Sequence, residues 1–276
     1  MRRLAVLAAS AGLAAVFAAP ATAAIQSTTT GSWHLVFSDG FGTGSLRTSA
    51  WTPNWVGATA DEITKPPNDY ELAAMDPAQV TFDTTYGRLL LTPKYDPWTS
   101  SYDGSYFPDR SGTITGYLKQ GYTPDLEVVG RLKMPCTSTG QIKNWPSFWL
   151  VGDPFQWPQT GELDIVEGIN GMAAWHAHFN APDGTYNGPG AAVPGNWCGW
   201  HTFSVIWWGT VVKWYYDWVK VGEIDNYNAT APEFPVIMYS MAATGTKLTD
   251  CPPKCSGPQA LGAHLRADYI RIYKWY

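Results

Sequence analysis

The chain has 276 residues, of which 15% are charged and 14% aromatic, and its net charge is −5. That balance argues against a phosphate-binding surface, which needs a basic face, and so against nucleic acid as a partner. Fifteen tryptophans and fifteen tyrosines in a chain this poor in charge suit a neutral polymer better than an ionic ligand.

Residues 1–23 read as a secretory signal peptide. Arg2 and Arg3 precede an apolar run, Leu4–Ala19, and Ala21-Thr22-Ala23 offers small residues for cleavage. The run is short for a membrane span and no second one follows, so the expectation is a secreted, extracellular monomer with no membrane contact. Residues 24–276 read as a single domain. Strand patterns recur at Trp33–Ser38, Gln79–Phe82, Arg88–Thr92, Val128–Met134, Ser147–Val151 and Gly161–Glu167. They continue at Ala174–Phe179, His201–Trp207, Val211–Asp217, Val236–Met241 and Asp268–Tyr273, divided by Gly, Pro, Asn and Asp turns. The Pro93–Arg110 insert reads as a long surface loop. No segment holds a helical apolar period beyond a turn or two. With no alternation of helix and strand, the predicted fold class is all-β, an antiparallel sandwich.

Four cysteines in an exported chain predict two disulfides. Cys251-Pro252-Pro253-Lys254-Cys255 favours a local bridge, Cys251–Cys255, which leaves Cys136–Cys198. A zinc site is the competing reading, but no histidine stands at ligand spacing near the pair.

The chemistry concentrates in Gly161-Glu162-Leu163-Asp164-Ile165-Val166-Glu167. In a pleated strand Glu162 and Asp164 share one face, and Leu163 and Ile165 share the other. Glu167 has the wrong parity, so a regular strand would bury it in the core. A β-bulge between Asp164 and Glu167 would return it to the acids' side. Crowded carboxyls raise each other's pKa, a cost that fits glycoside hydrolysis, where one carboxylate attacks and one carboxyl protonates. A solvated edge strand or an oxygen-ligated calcium ion are the competing readings. Trp145, Trp149, Trp157 and Trp175 fall close to the acids, and flat aromatic faces suit sugar rings.

The order of these segments resembles glycoside hydrolase family 16, in its laminarinase-like branch with the bulged E-x-D-x-x-E strand. The likeness runs through Phe37-Ser38-Asp39-Gly40-Phe41, Asn68-Asp69-Tyr70-Glu71-Leu72, Gly130–Pro135, Trp145–Leu150, Trp157–Glu167 and Ala267–Tyr273. The resemblance implies a concanavalin-like jelly roll with a concave substrate cleft, cutting β-linked polysaccharide, β-1,3-glucan first. It implies Glu162 as nucleophile, Glu167 as general acid/base and Asp164 as the residue tuning them, with no cofactor required for catalysis. It also implies His176 beside the cleaved bond, Asn68 and Glu71 along the donor side, and Trp145 and Trp157 as stacking platforms, while Trp149 reads as core. A structural calcium would use Asp268 and Asp39. Val129 stands where many members carry an acid, a departure bearing on substrate identity.

Overall fold

A computed structural model describes residues 31–55, 58–68, 71–116, 122–240 and 260–276. The expected signal peptide and the Cys251–Cys255 pair lie outside these residues. The early strands are β1 Trp33–Asp39, β2 Trp51–Thr52, β3 Ala73–Met75, β4 Val80–Asp83, β5 Arg88–Leu91, β6 Lys94–Thr99, β7 Tyr106–Ser111 and β8 Thr113–Gly116. The middle ones are β9 Leu126–Lys133, β10 Trp145–Gly152, β11 Glu162–Ile169, β12 Met172–Asn180, β13 Tyr186–Asn187 and β14 Gly190–Val193. The last are β15 Trp200–Trp208, β16 Val211–Tyr216, β17 Val219–Ile224, β18 Glu233–Ser240 and β19 Leu265–Trp275. A single 3-10 turn, Pro77–Gln79, is the one helical element among the described residues.

Two eight-stranded sheets face each other. One runs β17-β16-β15-β9-β19-β5-β4, with β1 also on β19, and the other runs β13-β12-β11-β10-β18-β8-β2, with β14 also on β12. Every pairing within the two sheets is antiparallel. Each of the eleven segments read as strands in the sequence overlaps a strand here, with Gln79 falling in the 3-10 turn and Met241 lying outside the described residues. Between the sheets lies one large core, to which β10 and β11 give Phe148, Leu150, Leu163, Ile165 and Val166, and β15 and β16 give Phe203, Val205, Trp214 and Tyr216. Burying such side chains contributes roughly 1.5–3 kcal/mol each, offset largely by ordering the chain.

The Pro93–Arg110 segment is not a loop. Its residues form the β6–β7 hairpin, and with β3, parallel to β7, they make a three-stranded sheet. Pro97 hid the strand, because proline cannot donate to a ladder. The structure accommodates it at a register shift between Tyr95 and Trp98. Arg110 ties the sheet together by pairing with both Asp76 and Asp96.

Cys136 and Cys198 are bonded, with Cα atoms 5.6 Å apart. The bridge joins the segment just after β9 to the approach of β15.

Candidate active site

The strand that carries the acids bends where its sequence demands it. Opposite β10, Phe148 pairs with Val166 and Trp149 with Asp164, so one residue of β11 is left over; on the β12 side the register shifts between Asp164 and Glu167. Ile165 and Val166 both enter the core, and Glu167 turns to line the cleft with Glu162 and Asp164. The disrupted ladder leaves backbone groups that need partners. Trp214, from the opposite sheet, supplies one by donating its indole N–H to the Asp164 carbonyl at 2.9 Å, and Tyr216 donates to the Ala174 carbonyl at 2.9 Å. The bulge is therefore held from the core side by two aromatic residues of β16.

Gly161, the residue entering β11, has φ +92° and backs onto a buried pair, the Tyr227 hydroxyl and the Glu233 carboxyl, which hydrogen-bond each other. A Cβ at position 161 would lie 2.5 Å from both oxygens, so conformation and space each require glycine there.

The cleft holds about 530 Å³. Asp164 offers an oxygen within 4.8 Å of one on Glu162 and of one on Glu167. Burial is the largest cause raising Glu162 to about 8, and the charges of Glu167 and Glu233 add to it. Burial likewise lifts Asp164 well above the carboxylate range. The hydrogen bond between these two works in opposite directions, lowering Glu162 and raising Asp164. That hydrogen bond favours the proton on Asp164 over Glu162, while burial holds both above the ordinary carboxylate range.

Glu167 is gripped on both oxygens. Trp145 donates its indole N–H to Oε2 at 2.7 Å, and His176 Nδ1 meets Oε1 in a short hydrogen bond. Burial pulls His176 down, but its hydrogen bond to Glu167 and the charges of Glu167 and Asp164 outweigh this and leave it raised. His178, two residues along the same face, is lowered to about 4, first by burial and then by His176 beside it.

Of the residues singled out in the sequence, Glu162, Asp164, Glu167, His176, Trp145, Trp157 and Asn68 all line the cleft. Trp157 is 49% exposed, as a sugar platform requires, whereas Trp145 is fixed by its bond to Glu167. Glu71 is buried and accepts the Asn68 amide at 2.9 Å; Asn68, not Glu71, faces the cleft. Trp149 packs against Met75, Val151 and Val236 as expected of core, yet it also lines the cleft and stacks on Trp55 at 5.1 Å. Asp39 accepts from the Trp51 indole and the Phe41 amide and pairs with Arg47. Asp268 meets Arg131 at 2.5 Å and Arg88 at 3.5 Å. A calcium ion at Asp268 would have to displace a guanidinium that already neutralises it. The two clusters of three or more metal-ligating side chains among the described residues both lie in the cleft and contain neither Asp39 nor Asp268.

The sequence did not single out Tyr186, Phe155 and Ile169, which also line the cleft. Tyr186 arrives by the turn 181–185, and no local pattern reveals that this turn folds back onto β12. Gly190 was missed too. β14 pairs it with His176, and a Cβ there would fall 1.8 Å from the imidazole. Gly190→Ala should push the ring off Glu167 and lower kcat by about 10–100-fold, the scale of misplacing a catalytic group by about 1 Å. KM should change little, and steady-state kinetics on a polysaccharide would check both.

A profile of the glycoside hydrolase family 16 catalytic domain, described as XgeA-like, matches residues 114–185. A beta-glucanase of Rhodothermus marinus is 24% identical over 215 residues, 68% of either chain. The endo-1,3-1,4-beta-glycanase EglC of Rhizobium meliloti is 26% identical over 250 residues, 86% of this chain and 51% of that protein. The chain thus spans about half to two thirds of the length of these curated relatives. The X-ray structure of the Pyrococcus furiosus endo-beta-1,3-glucanase superposes with a TM-score of 0.68 at 20% identity, covering 88% of this chain and 95% of that one. Residues 114–185, with the acid strand among them, therefore carry a glycoside hydrolase family 16 catalytic-domain match.

Proposed function

We infer that this protein is a glycoside hydrolase that cuts β-linked glucan internally, β-1,3 linkages first, with retention of anomeric configuration. The observation that carries this is the bulge, which gathers Glu162, Asp164 and Glu167 on one wall of an open, aromatic-lined cleft. Double displacement assigns each a task. Glu162 attacks the anomeric carbon and forms a glycosyl-enzyme ester while Glu167 protonates the departing glycosidic oxygen. Glu167, now a carboxylate, takes a proton from water as that water attacks the same carbon and Glu162 leaves. Asp164 hydrogen-bonds Glu162, so that when the pair loses one proton the charge falls on the nucleophile and the remaining proton on Asp164. His176 sits where it can share the proton that Glu167 delivers. No step calls on a cofactor.

The nature of the relatives supports a glucan, and the scarcity of charge in the cleft apart from its catalytic acids and histidines supports a neutral polymer. The leader-like residues 1–23 support export, and we take the working form to be a single chain outside the cell. Reducing-end release from laminarin, lichenan, agarose and arabinogalactan, with NMR of the first-formed anomer, tests the whole reading. The expected result is fastest cleavage of laminarin with a β product. Fastest cleavage of a galactan would move the substrate, an inverted product would remove the nucleophile role, and tight binding without new reducing ends would make the domain a binder.

A further inference from the structure

The second histidine of the cleft has no task in the reaction just described. His178 Nδ1 lies 2.7 Å from the Tyr186 hydroxyl, and the two rings stack with an interplanar angle of 12°. Trp157 bounds the imidazole on another side at 5.6 Å. The ring is thus oriented from outside the acid cluster, and its other nitrogen, Nε2, is aimed at two carboxyl groups. It lies 3.6 Å from Asp164 Oδ2 and 3.9 Å from Glu162 Oε1, too far to hydrogen-bond either.

Those separations match another kind of contact. Ligand atoms held ~2.0–2.1 Å from a tetrahedral zinc ion stand roughly 3.4 Å from one another. Closing the gaps requires side-chain shifts of a few tenths of an ångström. An imidazole with two carboxylates, and a fourth position open to water in the cleft, is the donor set of a borderline transition cation and not of an alkaline-earth ion. Tyr186 supplies the outer-shell bond that fixes a ligating histidine through its remote nitrogen. His176 offers no equivalent, since its Nδ1 already binds Glu167.

We propose that Glu162, Asp164 and His178 form an inhibitory site for a divalent transition cation of the Zn2+ type, which on binding occupies the nucleophile and closes the cleft to substrate. The regulation rests on the reading of Glu162 as nucleophile; the metal binding does not. Calorimetric titration of the full chain with ZnCl2 in a non-chelating buffer should show one strong site. His178→Phe, which keeps a flat ring but no ligand, should weaken it at least tenfold, and Tyr186→Phe should weaken it by about 10–100-fold. CaCl2 at the same concentrations should give no such site, and a bound glucan oligosaccharide should exclude the zinc. Circular dichroism of both variants establishes that they are folded. Zinc binding that survives His178→Phe undiminished, calcium binding equal to zinc, or zinc and oligosaccharide bound together would each overturn the proposal. Zinc binding that depends on His178 in a protein that cleaves no polysaccharide would leave the metal site standing and remove the glycosidase reading instead.

Discussion

In Glu162→Gln and Glu167→Gln, release of reducing ends falls by at least about 10³-fold while the protein stays folded. The general acid alone contributes ~10²–10⁴-fold, and without the carboxylate nucleophile no glycosyl-enzyme can form. Glutamine matches glutamate in shape, so the amide can still accept the Trp145 indole N–H at position 167. The fold should not suffer, because each change removes one ionisable group from a crowded set in which Asp164 and Glu167 are buried and Glu162 is half-buried. Assays on the preferred polysaccharide, with melting curves of each variant, check this. Near-normal turnover by either variant would dismiss the role assigned to that residue. A loss shared with a collapsed melting curve would instead mean that the acid is structural.

Glu233→Gln should raise stability at neutral pH, and more so with each step toward pH 8. Glu233 is 0% exposed, and burial raises its carboxyl from the ordinary 4.5 to about 8, against a smaller opposing effect of the Tyr227 hydrogen bond. Below pH 4.5 both the folded and unfolded chains hold the proton, and the group makes no difference to stability. Between 4.5 and about 8 the unfolded chain releases it and the folded chain does not, so stability is lost steadily as pH rises. Above about 8 the folded chain ionises as well, and the loss levels off. At about 1.4 kcal/mol per pH unit, the penalty at pH 7 is about 3 kcal/mol, a large share of a typical domain's margin. Urea denaturation of wild type and Glu233→Gln at pH 5, 7 and 8 should give curves that nearly coincide at the first and separate at the others. A separation independent of pH would show that the carboxyl's proton is not the cause. Because the charge of Glu233 also raises Glu162, the variant reports on the site as well as on the fold.

Much of this molecule was legible before any coordinates. Alternating apolar residues punctuated by turn formers marked eleven of the nineteen strands among the described residues, because a half-buried strand writes its two faces into alternate positions. The parity of Glu162, Asp164 and Glu167 required a bulge, and the strand contains one at that place. The short strands β2, β3, β8, β13 and β14 left no such mark, since two to four residues carry too little pattern to stand out. Pro97 disguised β6, and the parallel pairing of β3 with β7 depends on residues some 35 positions apart.

What the order of residues determined alone was the covalent inventory and its parity: which acids share a face, where the register must break, and that the chain prefers sheets. Partnership between strands was decided only by the folded whole. Trp214 reaching across the sandwich to the Asp164 carbonyl and Glu233 lying behind Gly161 join strands distant in sequence, and Gly190 backing the His176 ring and Tyr186 holding His178 depend on how the chain after β12 folds back onto it. The physical reason is that side-chain period is a local property of the backbone, whereas desolvation and hydrogen-bond satisfaction depend on which surfaces the sheets bring together.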